Sequence, residues 1–297
     1  MDPQISTAFN RFYELITPSR QQVEKALVYA RAISEDMSNV ARGVASHSFT
    51  RYRLIGSYAR ETAILEFSDV DVMLEFQGAR ELGLGASRPL LTGIRDSLEQ
   101  SASTAVRISE MQEVVQIEYP DGVHLDILPA LRDDSQGYFI PDGTNGWRTT
   151  DPDVQECYFN GQNAASRIHL PKFTRGLKYW NAAHGSLIRS YHLESIVAQL
   201  APQLDGDYSI ASRETFEELS KTVCMSDPAG HQGELSSYLS ASQRDAISAL
   251  CRASTTGAIA ALTAQGEGDF RAAMRIWSSV YGPLFSSDVP RPQELDS

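Results

Sequence analysis

The sequence predicts an α+β protein in which the sheet is laid down first and the helices follow. Three observations carry this. Strand-type alternation of apolar and polar residues is confined to the first half of the chain. From Asp153 onward no convincing strand pattern returns, and helical spacing recurs between proline and glycine punctuation. Three acids, Asp69, Asp71 and Asp126, sit in or beside strand patterns, where an alternating chain places them on a face.

In order, Thr17-Pro18 reads as a helix start, with the hydroxyl as N-cap and proline at the first helical position. Val23, Ala26, Leu27, Ala30 and Ile33 then recur at helical spacing to about Met37, so this first helix is expected to brace the back of the sheet. His47 to Ile55 reads as the first strand, and Val70 to Phe76 is expected to pair with it around Gly56-Ser57. Residues 78–87 read as a loop; its Gly83-Leu84-Gly85 is misplaced for a dinucleotide fingerprint. Leu90, Leu91, Ile94 and Leu98 mark a second helix, and Val115, Ile117 and Tyr119 a strand. Pro120-Asp121-Gly122 turns into a strand carrying Asp126, which Pro129 is expected to end. Residues 132–147 are polar, with a surface turn at 141–146. Helices are expected near 153–168, 171–184, 189–201, 212–224, 240–262 and 267–281. The domain division expected is 1–150, 151–285 and a flexible polar tail at 286–297.

The 297 residues suffice for one large domain or two lobes, and 42% hydrophobic with 22% charged residues is ordinary for a globular protein. There is no apolar run long enough to span a membrane and no signal-type N-terminus, so the expectation is a cytoplasmic protein without membrane contact. Cys157, Cys224 and Cys251 are odd in number and widely spaced, which argues against a disulfide framework or a zinc cluster. The net charge of −12 argues against a long nucleic acid as partner, since phosphate neutralisation by Lys and Arg supplies most non-specific affinity. Free nucleotides with a divalent cation suit an acidic chain better.

The chemistry gathers around Gly56-Ser57-Tyr58-Ala59-Arg60-Glu61-Thr62 and Asp69-Val70-Asp71. Val70, Val72 and Leu74 alternate with Asp69 and Asp71, so the two carboxylates share a strand face and repel one another. A hard divalent cation such as Mg²⁺ relieves that repulsion. A glycine and a small hydroxyl at a strand end allow the close backbone approach a polyphosphate requires. Asp126, alternating with Leu125 and Ile127, supplies a third acid, and the set has the composition of a two-metal phosphoryl-transfer site. In the second half, Lys178 on one helix and Ser190 at the N-cap of the next are suited to contact a phosphate. Read alone, each fits better as a snorkelling surface lysine or an ordinary capping serine, since such residues are common.

Taken together these residues resemble the bacterial cGAS/DncV-like nucleotidyltransferases (CD-NTases), anti-phage cyclic oligonucleotide synthases. The resemblance rests on Gly56-Ser57 with Arg60 and Thr62, Asp69-Val70-Asp71, Leu125-Asp126, Trp147 with Asp151-Pro152, Lys178-Tyr179-Trp180-Asn181 and Ser190-Tyr191-His192-Leu193. Ile276-Trp277, Tyr281-Gly282 and Phe285 are similar to the family's closing segment, and the whole spans about residues 10–285. It implies a polymerase-β-like palm of mixed sheet and helices closed against a helical lobe, with the active site in the cleft. It implies that Asp69, Asp71 and Asp126 hold two Mg²⁺ (with Mn²⁺ as a substitute), and that Gly56, Ser57, Lys178 and Ser190 bind the donor triphosphate. It further implies that Tyr191 stacks on the donor base, and that Thr150 stands where uracil-preferring relatives carry asparagine, which favours a purine. The implied activity is synthesis of a cyclic di- or trinucleotide from NTPs with release of pyrophosphate, open to control by a regulatory protein partner. Cyclisation rests on the resemblance alone. A nucleotidyltransferase acting on an antibiotic, a protein or an RNA end, and an inactive nucleotide sensor, remain as alternatives.

Overall fold

The computed structural model describes residues 3–40, 48–65, 69–77, 85–101, 105–133 and 137–285. His47, Gly83, most of the expected 78–87 loop and the tail from 286 lie outside the described residues. The chain forms two compact units: residues 1–17, 61–67 and 156–297, and residues 18–60 and 68–155. The division is not the linear one expected at residue 150, because the first 17 residues and the segment around Thr62 group with the helices.

The helical unit opens with a helix the sequence reading had not marked, α1 (Pro3–Leu15). Its buried face is Ile5, Phe9, Phe12 and Tyr13, an i, i+4, i+7, i+8 stripe. The sheet unit then begins with α2 (Arg20–Val40). Its start is Ser19 rather than Thr17-Pro18. Gln22 N donates to Ser19 Oγ at 3.2 Å and Ser19 N to Gln22 Oε1 at 2.8 Å, a reciprocal capping box that satisfies two otherwise orphaned donors. Ala26, Ala30 and Ile33 face the core as expected, whereas Leu27 points off that face and is 42% exposed.

The sheet unit continues as β1 (Ser48–Leu54), α3 (Gly56–Ala59), β2 (Val70–Gln77), α4 (Arg88–Ser101), β3 (Arg107–Glu110), β4 (Val115–Glu118), β5 (His124–Asp133), β6 (Gly137–Pro141) and β7 (Trp147–Thr150). Strand order is β1-β2-β5-β4-β3, with β6 added to β5 and β7 to β6. The β2–β5 pair is parallel and every other pair antiparallel, which makes the sheet mixed. A parallel pair needs a crossover, and α4 supplies it. Leu90, Leu91, Ile94 and Leu98 of α4 join Ala26, Ala30 and Ile33 in one core with Val70, Val72, Leu74, Leu125 and Ile127. That core covers one sheet face and leaves the alternate residues of β2 and β5 on the other.

Two expectations fail here for physical reasons. Pro129 does not end its strand, which runs on to Asp133. The pairing with β4 stops at Val115–Ile127 and that with β6 starts at Leu131–Phe139, so at Pro129 the strand has a neighbour on the β2 side alone. A residue without an N–H is tolerated there. The stretch expected as polar coil contains the β6–β7 hairpin. At five and four residues the strands are too short for alternation to stand out, although Tyr138 and Ile140 are both buried.

The helices that follow are α5 (Pro152–Ala165), α6 (Leu170–Ala183), α7 (Ser190–Leu200), α8 (Tyr208–Lys221), α9 (Ala241–Gly266) and α10 (Phe270–Tyr281). Helix α8 begins four residues ahead of expectation because the Asp207 side chain accepts from Ser209 N at 2.8 Å and caps it there. The core of the helical unit is aromatic. Phe9 of α1 meets Trp277 of α10 at 5.3 Å and Phe285 at 4.8 Å between ring centroids, and Phe12 meets Tyr281 at 5.2 Å. Among the described residues no helix is long and apolar enough to cross a membrane.

Candidate active site

The parallel register of β2 and β5 fixes the geometry of the acids. Asp71 lies directly opposite Asp126, with Val70 opposite Leu125 and Val72 opposite Ile127. In-register neighbours on parallel strands point to the same face about 4.8 Å apart. With the valines, leucine and isoleucine committed to the α4 side, Asp71 and Asp126 both emerge on the other. Asp69 precedes β2 by one residue and shares the parity of Asp71. Below the acids that face turns apolar, where Met73, Ala130, Tyr138 and Ile140 form a small second core with Ile55 and Leu128 packed on it. The carboxylates therefore stand at the rim of this second core.

Gly56 closes over this rim. Ile55 N donates to Asp71 O at 3.0 Å, and the chain then turns through Gly56 at φ +65° into the single turn of α3. A Cβ on Gly56 would sit 2.1 Å from Asp71 Oδ2. Glycine is required twice over, by its left-handed backbone and by contact with an acid. Ser57 follows at once. What the sequence presented as a Gly-Ser loop is a helical turn seated on the Asp71 side chain.

Asp126 has a partner that the sequence reading missed. Gln116 on β4 is its cross-strand neighbour, and Gln116 Nε2 donates to Asp126 Oδ1 at 2.9 Å. Burial raises the Asp126 pKa from its ordinary value, and the nearby Asp69 charge adds to this; Gln116 and His124 act the other way. Asp69 is about half exposed, with His124 Nδ1 4.0 Å from its Oδ1. The pair could have been found by counting outward from the Tyr119–Val123 turn, which sets 116 opposite 126. Among the described residues no three His, Cys, Asp or Glu side chains are drawn closely enough together to hold an ion. The donor set nonetheless fits a hard divalent cation: all its donors are carboxylate oxygens, and the charge on Asp126 is disfavoured both by burial and by a neighbouring acid.

The remaining predicted residues fall in two places. Thr150, 5% exposed, ends β7, which pairs with β6 rather than with β2 or β5; Gln155 Nε2 lies 3.5 Å from its hydroxyl. Lys178, Ser190 and Tyr191 belong to the helical unit. Lys178 is not a surface lysine. It is 5% exposed, and its Nζ donates to Glu194 Oε1 at 2.8 Å, the same oxygen that accepts from Thr62 Oγ1 at 2.9 Å. Ser190 is the first residue of α7 and not its cap; Arg189 holds the N-cap position without a side-chain bond. Tyr191 is half-buried and donates through its hydroxyl to Asp227 Oδ1 at 2.7 Å.

Residues 4–163, more than half of the chain, match the family model for the Second Messenger Oligonucleotide or Dinucleotide Synthetase domain. The chain belongs to this family. A probable cyclic nucleotide synthase of Bacillus cereus strain VD146 is 27% identical over 270 residues, covering 78% of this chain and 81% of that protein. The structure of CdnC of Escherichia coli MS115-1 with ATP superposes with a TM-score of 0.77 at 19% identity over 95% of this chain and 98% of that one. The same protein in its complex with HORMA-deltaN gives 0.76 at 18%, with the same coverage. The sheet-and-helix architecture of this synthetase is thus that of the CD-NTases, and the activity of its family is nucleotidyl transfer that makes a second messenger oligonucleotide or dinucleotide. The family match takes in the whole β2–β5 platform with Gly56, Gln116 and the three acids.

Proposed function

We propose that this synthetase joins NTPs, at least one of them a purine nucleotide, on the Gly56–Asp71–Asp126 platform and closes them into a cyclic di- or trinucleotide for anti-phage signalling in the cytoplasm. The observation that carries the reading is the in-register pairing of Asp71 with Asp126 beneath the Gly56 turn. Few structural purposes are served by two carboxylates at one rung of a parallel pair.

Asp69, Asp71 and Asp126 would hold two Mg²⁺ ions, whose chemistry is to acidify the attacking ribose hydroxyl and to neutralise the triphosphate. The hydroxyl oxygen forms a new bond to the α-phosphorus as the bond to the β-phosphate breaks, and pyrophosphate leaves. Asp126 orients that hydroxyl and takes its proton. Gln116 holds Asp126 Oδ1, so Oδ2 is the oxygen turned to substrate. Ser57 and the backbone of the Gly56 turn receive the donor phosphates. Lys178, set in its buried pair with Glu194, and Ser190 at the first turn of α7 complete the phosphate contacts. Tyr191 stacks on the donor base, and Thr150 favours a purine. A regulatory protein partner is part of the proposal, supported by the HORMA-deltaN complex of the related CdnC.

Incubation of the full chain with four NTPs and Mg²⁺, followed by phosphatase treatment and mass spectrometry, is the test. A phosphatase-resistant cyclic nucleotide is expected, absent with Asp69→Asn/Asp71→Asn. Product formed at the wild-type rate by that double variant would overturn the site assignment. Transfer only to an added antibiotic, protein or RNA end would overturn the choice of acceptor.

A further inference from the structure

The first turn of α7, which carries Ser190 and Tyr191, is held by residues 223–238 of the same unit. Arg189 N donates to the Tyr238 hydroxyl at 2.8 Å, and the Arg189 guanidinium lies 4.3 Å from the Tyr238 ring centroid. His192 is buried between Val223 O, 2.7 Å from Nε2, and the Tyr238 hydroxyl, 3.2 Å from Nδ1. The strongest of these contacts in kind is to Tyr191, because its acceptor, Asp227 Oδ1, is a buried carboxylate.

The direction of control follows from what else holds Asp227. Its Oδ1 also accepts from Ala229 N at 3.1 Å, and its Oδ2 from His231 N at 3.0 Å and Gln232 N at 2.9 Å. Its own N–H reaches Gly233 O at 2.7 Å, and its carbonyl accepts from Gly230 N at 2.9 Å. The carboxylate is fixed by three backbone donors of its own loop, so the loop sets its position whether or not Tyr191 is bonded. A tyrosine has two side-chain torsions. The hydroxyl oxygen lies on the axis of the second torsion. With the Cα held in α7 and the hydroxyl held at a fixed oxygen, the first torsion and the long axis of the ring are therefore set, and the preference of the phenolic O–H for the ring plane biases the second.

We propose that Asp227 is a positioning residue for the nucleotide site: it anchors the Tyr191 hydroxyl so that the ring is held in place for the donor base. This rests on the reading of Tyr191 as the base-stacking residue. Pre-orientation removes the cost of ordering a free aromatic side chain when nucleotide binds. It should therefore act on ligands that possess a base and not on the phosphate contacts.

The test compares ATP with inorganic tripolyphosphate, which offers the phosphates without a base. KM for ATP in Mg²⁺-dependent turnover and the inhibition constant of tripolyphosphate are measured for the full chain and for Tyr191→Phe, Asp227→Asn and Tyr191→Ala. Tyr191→Phe keeps the ring and the loop and loses only the anchor. It should raise KM for ATP roughly 3- to 10-fold with the tripolyphosphate constant unmoved. Tyr191→Ala should raise KM roughly 5- to 100-fold. Asp227→Asn should follow Tyr191→Phe; if it unfolds the loop, Tyr191→Phe still decides. An effect of Tyr191→Ala without one of Tyr191→Phe would overturn the anchoring and leave the stacking intact. No effect of Tyr191→Ala would overturn the stacking reading itself. Equal weakening of ATP and tripolyphosphate by Tyr191→Phe would show general loosening of α7 and overturn the proposal.

Discussion

Gly56→Ala is the sharpest perturbation the structure offers, because one added carbon meets one of the acids proposed to be catalytic. The new Cβ would stand 2.1 Å from Asp71 Oδ2 and 3.0 Å from its Cγ. An ordinary contact needs about 3.4 Å, so the carboxylate must retreat by about 1 Å or the α3 turn must lift off β2. Displacing a reacting group by about 1 Å costs on the order of 10²-fold in rate. The backbone adds a separate cost of about 1–2 kcal/mol, since alanine must adopt φ +65°, and this appears as a melting-point drop of a few degrees. The assay is the initial rate of pyrophosphate release from saturating NTPs, read beside a thermal melt. Gly146→Ala is the control. Its Cβ would meet Asp142 Oδ2 at 2.5 Å in the β6–β7 turn, so it introduces a comparable clash away from the acids. The expected result is a loss of kcat near a hundredfold for Gly56→Ala and none beyond twofold for Gly146→Ala. If Gly56→Ala turns over within about threefold of the parent, the Gly56 turn does not set the Asp71 carboxylate and the reasoning fails.

Four further outcomes follow. Gln116→Leu removes the donor on Asp126 Oδ1 and should lower kcat about 10- to 100-fold while leaving KM nearly unchanged, with weaker Mn²⁺ binding in a titration. Glu194→Gln leaves the Lys178 charge buried without a counter-charge and should destabilise by about 3–5 kcal/mol; Lys178→Met/Glu194→Met should recover most of that in denaturant melts without recovering activity. Burial holds the His192 pKa below its ordinary value. Its contribution to stability is therefore present above the unfolded-state pKa near 6.5 and lost as pH falls through the lowered one; melts between pH 7.5 and 5 should be steeper for the parent than for His192→Gln. The Cys251 thiol is buried and pushed up to about 12, so a thiol-specific reagent should label Cys157 and Cys224, both exposed, and spare Cys251 until unfolding.

The platform was legible in the sequence because its signal has the period of the structure that carries it. Val70, Val72 and Leu74 against Asp69 and Asp71, and Leu125 and Ile127 against Asp126, are what a one-sided core imposes on neighbouring strands. Segments read less well where the stabilising partner is remote. The four-residue β3 and β7 have no room to show alternation, and they are strands because β4 and β6 lie beside them. Helix α1 did carry a stripe, Ile5, Phe9, Phe12 and Tyr13, but that stripe is covered by aromatic residues more than 250 positions later, Trp277, Tyr281 and Phe285 among them. Gln116 was hidden for a different reason: a neutral amide carries no motif, and its role appears only when strand register puts it opposite an acid.

Lys178 shows how burial changes the chemistry a residue type suggests. Phe173, Thr174 and every residue from Gly176 to Asn181 are buried, so α6 is enclosed on several sides, and a lysine in that run cannot keep its ammonium in water. Glu194 compensates the charge, and Thr62 fills another position on the same oxygen. Two apolar residues of similar volume would hold α6 to α7 nearly as well, since desolvation offsets much of what a buried ion pair gains. The chain instead keeps a charged pair and ties it to Thr62, six residues beyond the Gly56 turn in the same Gly-Ser motif. A requirement for packing alone does not explain that choice. The proposed phosphate contact of Lys178 would call for a cation held at one place, and the two-methionine variant separates these accounts because it retains the packing and removes the charge.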